Sequence, residues 1–431
     1  MTEDTNNKKQ NIILFGIFFL ALIIIGWSFR WTFTYKFDPV YWENFYYTSQ
    51  WNIPNSKRVI GDEGVYRYIG YRLVNGENPF NVDYWVPPLG KYWYGVAAKY
   101  LGNPYWASWG WYAILLILVW VITKNWWVLL LVATNPLIVA QVGLTMLDLP
   151  QGVLLLAQAG CLLSGQFVLA GIMLGLMMGV KIGVLGPMVA VVGAYYLWKK
   201  TKSKKEILMF LVAILAGYML AYTCYFLAHP NPIPWLRLHQ KVIEFWKNSG
   251  ATAHPLNILG YVLVNKFNQV WGEGRVWMTV KEWSILFLVS LIIIIKSFFL
   301  KVNLKNKYYL LLASGWIGMC ALIDFWPRYL VAIVPILAII TVDFLKNKKG
   351  WLILILIINL FNLRTVLWPT PEQELREIQT NLKTGNYREI YEMGSKDFKV
   401  KNRVEEIVKF KETKIDLGKE NNKWVIVKMG R

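Results

Sequence analysis

The chain has 431 residues, of which 56% are hydrophobic, 16% aromatic and only 17% charged, with a net charge of +20. A soluble protein carries about 25% charged residues, and long windows here carry none, which excludes a soluble globular domain. The lysines sit in short clusters between apolar runs, as the positive-inside rule expects, and no nucleic-acid motif accompanies them.

Runs of roughly 17–25 apolar residues cross a bilayer. The first, 12–29, is followed by "GWSFRWTFTYKF" and lacks a small-residue cleavage site, so it is read as a retained span. With Lys8 and Lys9 in the cytoplasm, the later spans fall at 105–123, 126–145, 150–165, 167–182, 184–198, 207–228, 283–300, 308–323, 329–345 and 351–366. This threading places Lys124, "KKTKSKK" (199–205), "KVNLKNK" (301–307) and "KNKK" (346–349) all inside. The expected fold is an all-α polytopic membrane protein with about eleven spans and an external C-terminus.

Residues 1–366 then form the transmembrane body, with external loops at 30–103 and 229–282, and 367–431 form a small external α+β tail. The segment "PPLGKYWYGVAAKYLG" (87–102) is short and carries Lys91 and Lys99, so it reads as an interfacial or partly re-entrant helix. The tail reads as helices at 372–383, 386–394 and 402–411, then a hairpin, "TKIDLGKENNKWVIVKM", turning at "GKENN". There is no internal repeat. Cys161, Cys224 and Cys320 lie in apolar segments and outline neither a disulfide framework nor a zinc site. His229, His239 and His254 are too widely spaced for a metal signature and read as surface or lining residues. The amphipathic stretch 239–250 is expected at the membrane interface.

Two stretches in the first loop break the pattern of a simple connector. In "GDEGVYRYIGYRLVNGENPF" (61–80), Asp62 and Glu63 open a helix whose Val65, Ile69 and Leu73 share one face. Gly76 and Pro79 end it. In "VPPLGKYWYG" (86–95), Pro87 or Pro88 starts a second helix, where a missing N–H costs nothing. Composition alone leaves plain roles open. Asp62 could cap its helix by accepting from Gly64 or Val65, Lys91 could snorkel to headgroups, and the aromatics could form an interfacial belt.

The motifs favour a functional reading. Asp62-Glu63 with Tyr66, then "G-E-N-P" and "PPLGKYW", resemble the first external loop of polyprenyl-phosphate-sugar glycosyltransferases of the GT-C superfamily. Protein O-mannosyltransferases and the aminoarabinose transferases that modify lipid A belong to that superfamily. The O-mannosyltransferase pattern is phenylalanine-aspartate-glutamate, then aspartate-valine-histidine-proline-proline-leucine with a lysine soon after. Asp62 and Glu63 match the first part; Pro87, Pro88, Leu89 and Lys91 match the second. Ile60-Gly61 precede the acids, Val86 stands at the histidine, and Asp83 lies one residue further out, so the histidine's role does not carry over. "NPLIVAQVGLTMLDLPQGVLLL" (135–156) is similar to the segment that delivers a second aspartate, here Asp148. "GLMMGVKIGVLGP" (175–187) and "DFWPRYLVAIVP" (324–335) resemble segments that carry Lys181, and Arg328 with Tyr329. Each again has a plain alternative, Asp148 as a helix cap and the two cations as snorkelling helix ends.

The resemblance covers roughly residues 10–345 and implies a donor sugar on a polyprenyl phosphate and a hydroxyl acceptor on protein, lipid or wall polymer. It implies Asp62 as base for an inverting displacement, with Glu63 and Asp148 orienting acceptor or sugar. Lys91, Lys181 and Arg328 would hold the phosphate, and Tyr66, Trp93 and Tyr329 would line the substrate path. Mannose is among the candidate sugars. No cofactor is called for; a donor with one phosphate does not require a bridging metal, yet leaves room for a bound ion. The expected location is a prokaryotic plasma membrane, with the active site outside. The readings weighed against this are a transporter or lipid flippase, disfavoured by charges that gather at one face and by the lack of repeats, and a scaffold whose tail binds a partner.

Overall fold

Helix capping and proline placement explain several of the element boundaries. The computed structural model describes residues 2–49, 51–53, 60–181, 185–247, 256–268, 277–323, 325–368, 414–420 and 423–430. Helix α1 (Thr2–Ser28) carries the first apolar run, followed by the short α2 (Trp31–Thr34) and α3 (Pro39–Tyr47). The Asp38 carboxylate caps α3 by accepting from the backbone N–H groups of Val40 and Tyr41. Helix α4 (Asp62–Val74) ends just before Gly76, whose φ of +94° suits glycine. Then come α5 (Pro79–Val82), α6 (Leu89–Tyr100), which starts directly after Pro88, and α7 (Tyr105–Thr123).

The expected span 126–145 is two helices, α8 (Trp126–Ala133) and α9 (Pro136–Val142). Pro136 cannot donate into a continuing helix and would clash with the preceding turn. Asn135 caps the restart by accepting from Leu137 and Ile138 N–H. Helices α10 (Asp148–Leu163), α11 (Phe167–Val180), α12 (Leu185–Thr201), α13 (Lys204–Leu220), α14 (Thr223–Ala228), α15 (Pro232–Lys247) and α16 (Asn257–Val264) follow. The expected span 207–228 is therefore also interrupted, between α13 and α14. A two-residue antiparallel pair, β1 (Phe267–Asn268) with β2 (Trp277–Met278), precedes α17 (Ile285–Ser297) and α18 (Leu304–Cys320). A 3₁₀ turn (Pro327–Ile333) runs into α19 (Val334–Leu345), and α20 (Lys349–Leu367) follows.

In the tail, β3 (Lys414–Glu420) and β4 (Lys423–Gly430) pair antiparallel, as a hairpin requires, with an irregularity between Asp416 and Leu417, but Gly418, Lys419 and Glu420, expected in the turn, pair with Val425, Trp424 and Lys423. The tail helices expected at 372–383, 386–394 and 402–411 lie outside the described residues.

Among the described residues, four helical stretches are long and apolar enough to cross a membrane: Lys9–Ser28, Tyr105–Thr123, Pro327–Leu345 and Lys349–Leu367. Asp148–Leu163, Phe167–Val180 and Ile285–Ser297 are shorter apolar helices. The protein is an integral membrane protein built of helices. Its outer helices keep apolar side chains such as Ile23, Ile117 and Phe361 exposed, as lipid contact requires.

Helix α10 is the centre of the packing. It lies against α7, α11 and the 3₁₀ turn, and Leu149, Val153, Leu156, Ala159 and Leu162 are all buried. Helices α4 and α6 cross so closely that a Cβ on Gly95 would lie 1.9 Å from the Gly70 carbonyl oxygen. No larger residue fits there. This crossing fixes α6 on α4.

Candidate active site

Asp62 occupies the first turn of α4, but Gly61 is the capping position and no side chain caps the helix. The Asp62 carboxylate instead accepts a 2.6 Å hydrogen bond from Nη2 of Arg328, 266 residues away in the 3₁₀ turn. Asp148 likewise stands in the first turn of α10, where Leu147 is the capping residue and no side-chain cap bond forms. Its Oδ1 pairs with Lys181, the residue that ends α11, and its Oδ2 lies 4.0 Å from Nε of Arg328. A chain of alternating charge results: Asp62, Arg328, Asp148, Lys181. The plain capping alternative for both aspartates is not what the side chains do.

The position of these acids is favourable for a second reason. Both carboxylates sit where the N-terminal end of a helix macrodipole stabilises negative charge. Three of the side chains are neither sealed nor free, with exposure of 14% for Asp62, 23% for Arg328 and 16% for Lys181, whereas Asp148 is buried at 2%. Aromatic rings border them. The Lys181 ammonium lies 4.4 Å from the centre of the Tyr329 ring, a cation–π distance. Tyr66 follows Asp62 by one helical turn and is buried at 7% exposure. Burial pushes its hydroxyl well above the usual range, and the Asp62 charge adds to the shift, so Tyr66 keeps its proton and can only be a neutral hydrogen-bonding group at neutral pH.

The structure gives Glu63, Lys91 and Trp93 other occupations than those the resemblance implies. Glu63 has no exposed surface. It pairs with Arg67 one turn along α4 and accepts a 3.0 Å bond from the Tyr105 hydroxyl. Arg67 in turn stacks 4.6 Å from the Trp42 ring and donates to the Tyr35 hydroxyl at 3.3 Å. Lys91 is equally buried. Its ammonium donates to Asp83 Oδ2 at 2.8 Å, the Asp83 carbonyl at 3.3 Å and the Val86 carbonyl at 2.7 Å. An ammonium has three donors, so Lys91 closes the 83–91 loop upon itself and has none left for a phosphate. Burial pushes the Lys91 ammonium down and the Asp83 carboxyl up, and each charge opposes the other's shift. Trp93 is 45% exposed on the outer side of α6 and meets Trp111 edge-on at 5.3 Å.

The sequence reading had no role for Arg67 or for the Asp83–Lys91 pair. The four-residue spacing of Glu63 and Arg67 is a readable helix pair; the eight-residue spacing of Asp83 and Lys91, across a loop, is not. Two histidines are described. His239 is bonded to the Tyr218 hydroxyl and the Trp235 carbonyl, both at 2.8 Å, and His229 Nε2 is 3.3 Å from Asn78 Nδ2; His254 lies outside the described residues.

No family model matches the chain, and no curated protein does. Two solved structures are similar to it. One is ArnT from Cupriavidus metallidurans bound to undecaprenyl phosphate, 11% identical, covering 80% of this chain and 62% of that one at a TM-score of 0.49. The other is the same protein in its apo state, 12% identical, covering 81% of this chain and 62% of that one at a TM-score of 0.45. The chain thus spans 62% of the length of the structures it resembles. At such identity and score the likeness assigns no activity.

Proposed function

We propose that the chain is an integral membrane glycosyltransferase that moves a sugar from a polyprenyl-phosphate donor to a hydroxyl acceptor at the outer face of the membrane. The observation that carries this reading is the convergence of Asp62, Arg328, Asp148 and Lys181 from four separate elements. Ionisable groups are costly in a membrane protein and mark functional sites. This set supplies what transfer from a lipid phosphate needs: a carboxylate to accept a proton and two cations to hold a departing phosphate.

The resting pairing shapes the mechanism. Asp62 is tied to Arg328, so a donor phosphate enters by exchange, drawing Arg328 onto itself and releasing the Asp62 carboxylate. Asp62 then takes the proton of the acceptor hydroxyl. The hydroxyl oxygen bonds to the anomeric carbon as the bond from that carbon to the phosphate oxygen breaks, with inversion. The bonding electron pair leaves on the phosphate, held by the planar fork of Arg328 and the point charge of Lys181. Asp148 keeps Lys181 in place, and Tyr66 and Tyr329 wall the site. In this reading the helices make about eleven crossings, with the N-terminus inside and the C-terminus outside. The acceptor is a protein, lipid or wall-polymer hydroxyl, and the sugar a hexose or pentose such as mannose.

Purified protein in lipid nanodiscs, given radiolabelled prenyl-phosphate sugars, should release the label from its lipid. Asp62→Asn should lose this activity by a factor of about 10² to 10⁴, the usual weight of a general base, while accumulating normally in membranes. Transfer retained by that variant removes Asp62 from the role; a wild-type protein inert towards every prenyl-phosphate sugar removes the enzyme.

A further inference from the structure

Between α9 and α10 the chain passes through the interior without regular structure, from Gly143 to Leu147. Thr145 and Leu147 have no exposed surface and Met146 has 4%. Buried carbonyls in such a segment need donors, and here side chains of other helices supply them. The Ser108 hydroxyl of α7 donates to the Leu144 carbonyl at 2.6 Å, and the Tyr94 hydroxyl of α6 donates to the Met146 carbonyl at 2.5 Å. Thr145 is itself a donor. Its hydroxyl donates to the Glu63 carbonyl at 2.8 Å, in the first turn of α4.

These bonds join the two acid-bearing turns. Glu63 adjoins Asp62, and Thr145 stands three residues before Asp148. The same segment reaches the shared cation, since Met146 Sδ is 4.0 Å from Arg328 Nη1. Any shift of 143–147 would carry Asp148 with it while Asp62 stayed on α4.

We propose that Thr145 and Tyr94 are positioning residues that hold the Asp62 turn and the Asp148 turn in register. Neither touches reacting atoms. Their role rests on the transferase reading, and it follows from the sensitivity of such reactions to geometry, where a misplacement of about 1 Å costs up to 10²-fold.

The test compares Thr145→Val, which keeps the shape and loses the hydroxyl, with Thr145→Ser, which keeps the hydroxyl. Thr145→Val and Tyr94→Phe should each lower kcat about 10-fold, the weight of one hydrogen bond, with the donor KM within about 2-fold of wild type. Thr145→Ser should restore kcat to within about 3-fold. A second readout does not depend on activity: hydrogen exchange in peptides covering 60–66 and 144–150 should quicken in both turns together for Thr145→Val and not for Thr145→Ser. Unchanged exchange in both turns, or equal loss of kcat in the valine and serine variants, overturns the proposal. An active Asp62→Asn protein would instead strike the transferase reading and leave the tether to be judged by exchange alone.

Discussion

Two sets of ion pairs lie within a short distance of each other and are built differently. Glu63–Arg67 and Asp83–Lys91 join residues four and eight apart in sequence, and every side chain has 0% exposure. Asp62–Arg328 and Asp148–Lys181 join residues 266 and 33 apart, and three of their four side chains keep 14–23% exposure. The local pairs need only α4 and the 83–91 loop to bring their charges together, although Glu63 and Arg67 also bond to Tyr105 and Tyr35 from other segments. The long-range pairs exist only when α4, α10, α11 and the 3₁₀ turn have assembled, and they keep a path to the outside. Burial that seals a pair makes it architecture; burial that leaves it accessible makes it exchangeable.

Breaking one pair of each kind should separate the two roles. Lys91→Met strands the Asp83 carboxylate in the interior, and removing one partner of a sealed pair costs about 3–5 kcal/mol. The expected result is a large drop in melting temperature and in membrane abundance. Arg67→Met should behave alike. Arg328→Met breaks a pair that keeps 14–23% exposure, so it should cost less than the about 3–5 kcal/mol of a sealed pair; its melting temperature should fall less than that of Lys91→Met while transfer falls about 100-fold. A stable Lys91→Met protein, or an equally destabilised Arg328→Met one, would erase the distinction.

A finer consequence concerns affinity. If the Asp62 carboxylate holds the place that the donor phosphate takes on Arg328, removing its charge removes a competitor. Asp62→Asn, although inactive, should bind polyprenyl phosphate about 10-fold more tightly than wild type, a gain of about 1.4 kcal/mol, measurable by fluorescence titration in detergent or nanodiscs. Weaker or equal binding would mean that phosphate and Asp62 do not exchange on Arg328.

The helices were legible because apolar runs are long and their ends carry asparagine, serine, glycine and proline in the expected places. The break at Pro136 was written in the same residues, yet an unbroken apolar count over 126–145 hid it. At the site, Asp62, Asp148, Lys181 and Arg328 could be named by motif resemblance, but no spacing in one sequence joins residue 62 to residue 328. The resemblance pairs Glu63 with Asp62 in one motif and implies that it orients acceptor or sugar. Successive helix residues point about 100° apart, and on α4 that rotation carries Glu63 away from the cluster towards Arg67 and Tyr105. For Lys91 no sequence signal shows the contacts the structure gives: its side chain turns back into its own loop, where two carbonyls and a carboxylate accept from it.

The same rotation decides Trp93, the mildest of the expected effects. On α6, Lys91, Tyr94, Gly95 and Ala98 are buried, whereas Trp93 and Val96 are exposed at 45% and 42%. An indole on the exposed side of α6, edge-on to Trp111, has the placement of an amphipathic ring that meets headgroups. Trp93→Leu should therefore keep kcat and donor KM within about 2-fold and change stability by no more than about 1 kcal/mol, the range of a partly exposed substitution. Should Trp93→Leu instead raise the donor KM 10-fold without altering the fold, the lipid tail of the donor would have to run along the outside of α6. The boundary between lining and belt would then move outward by one helix face.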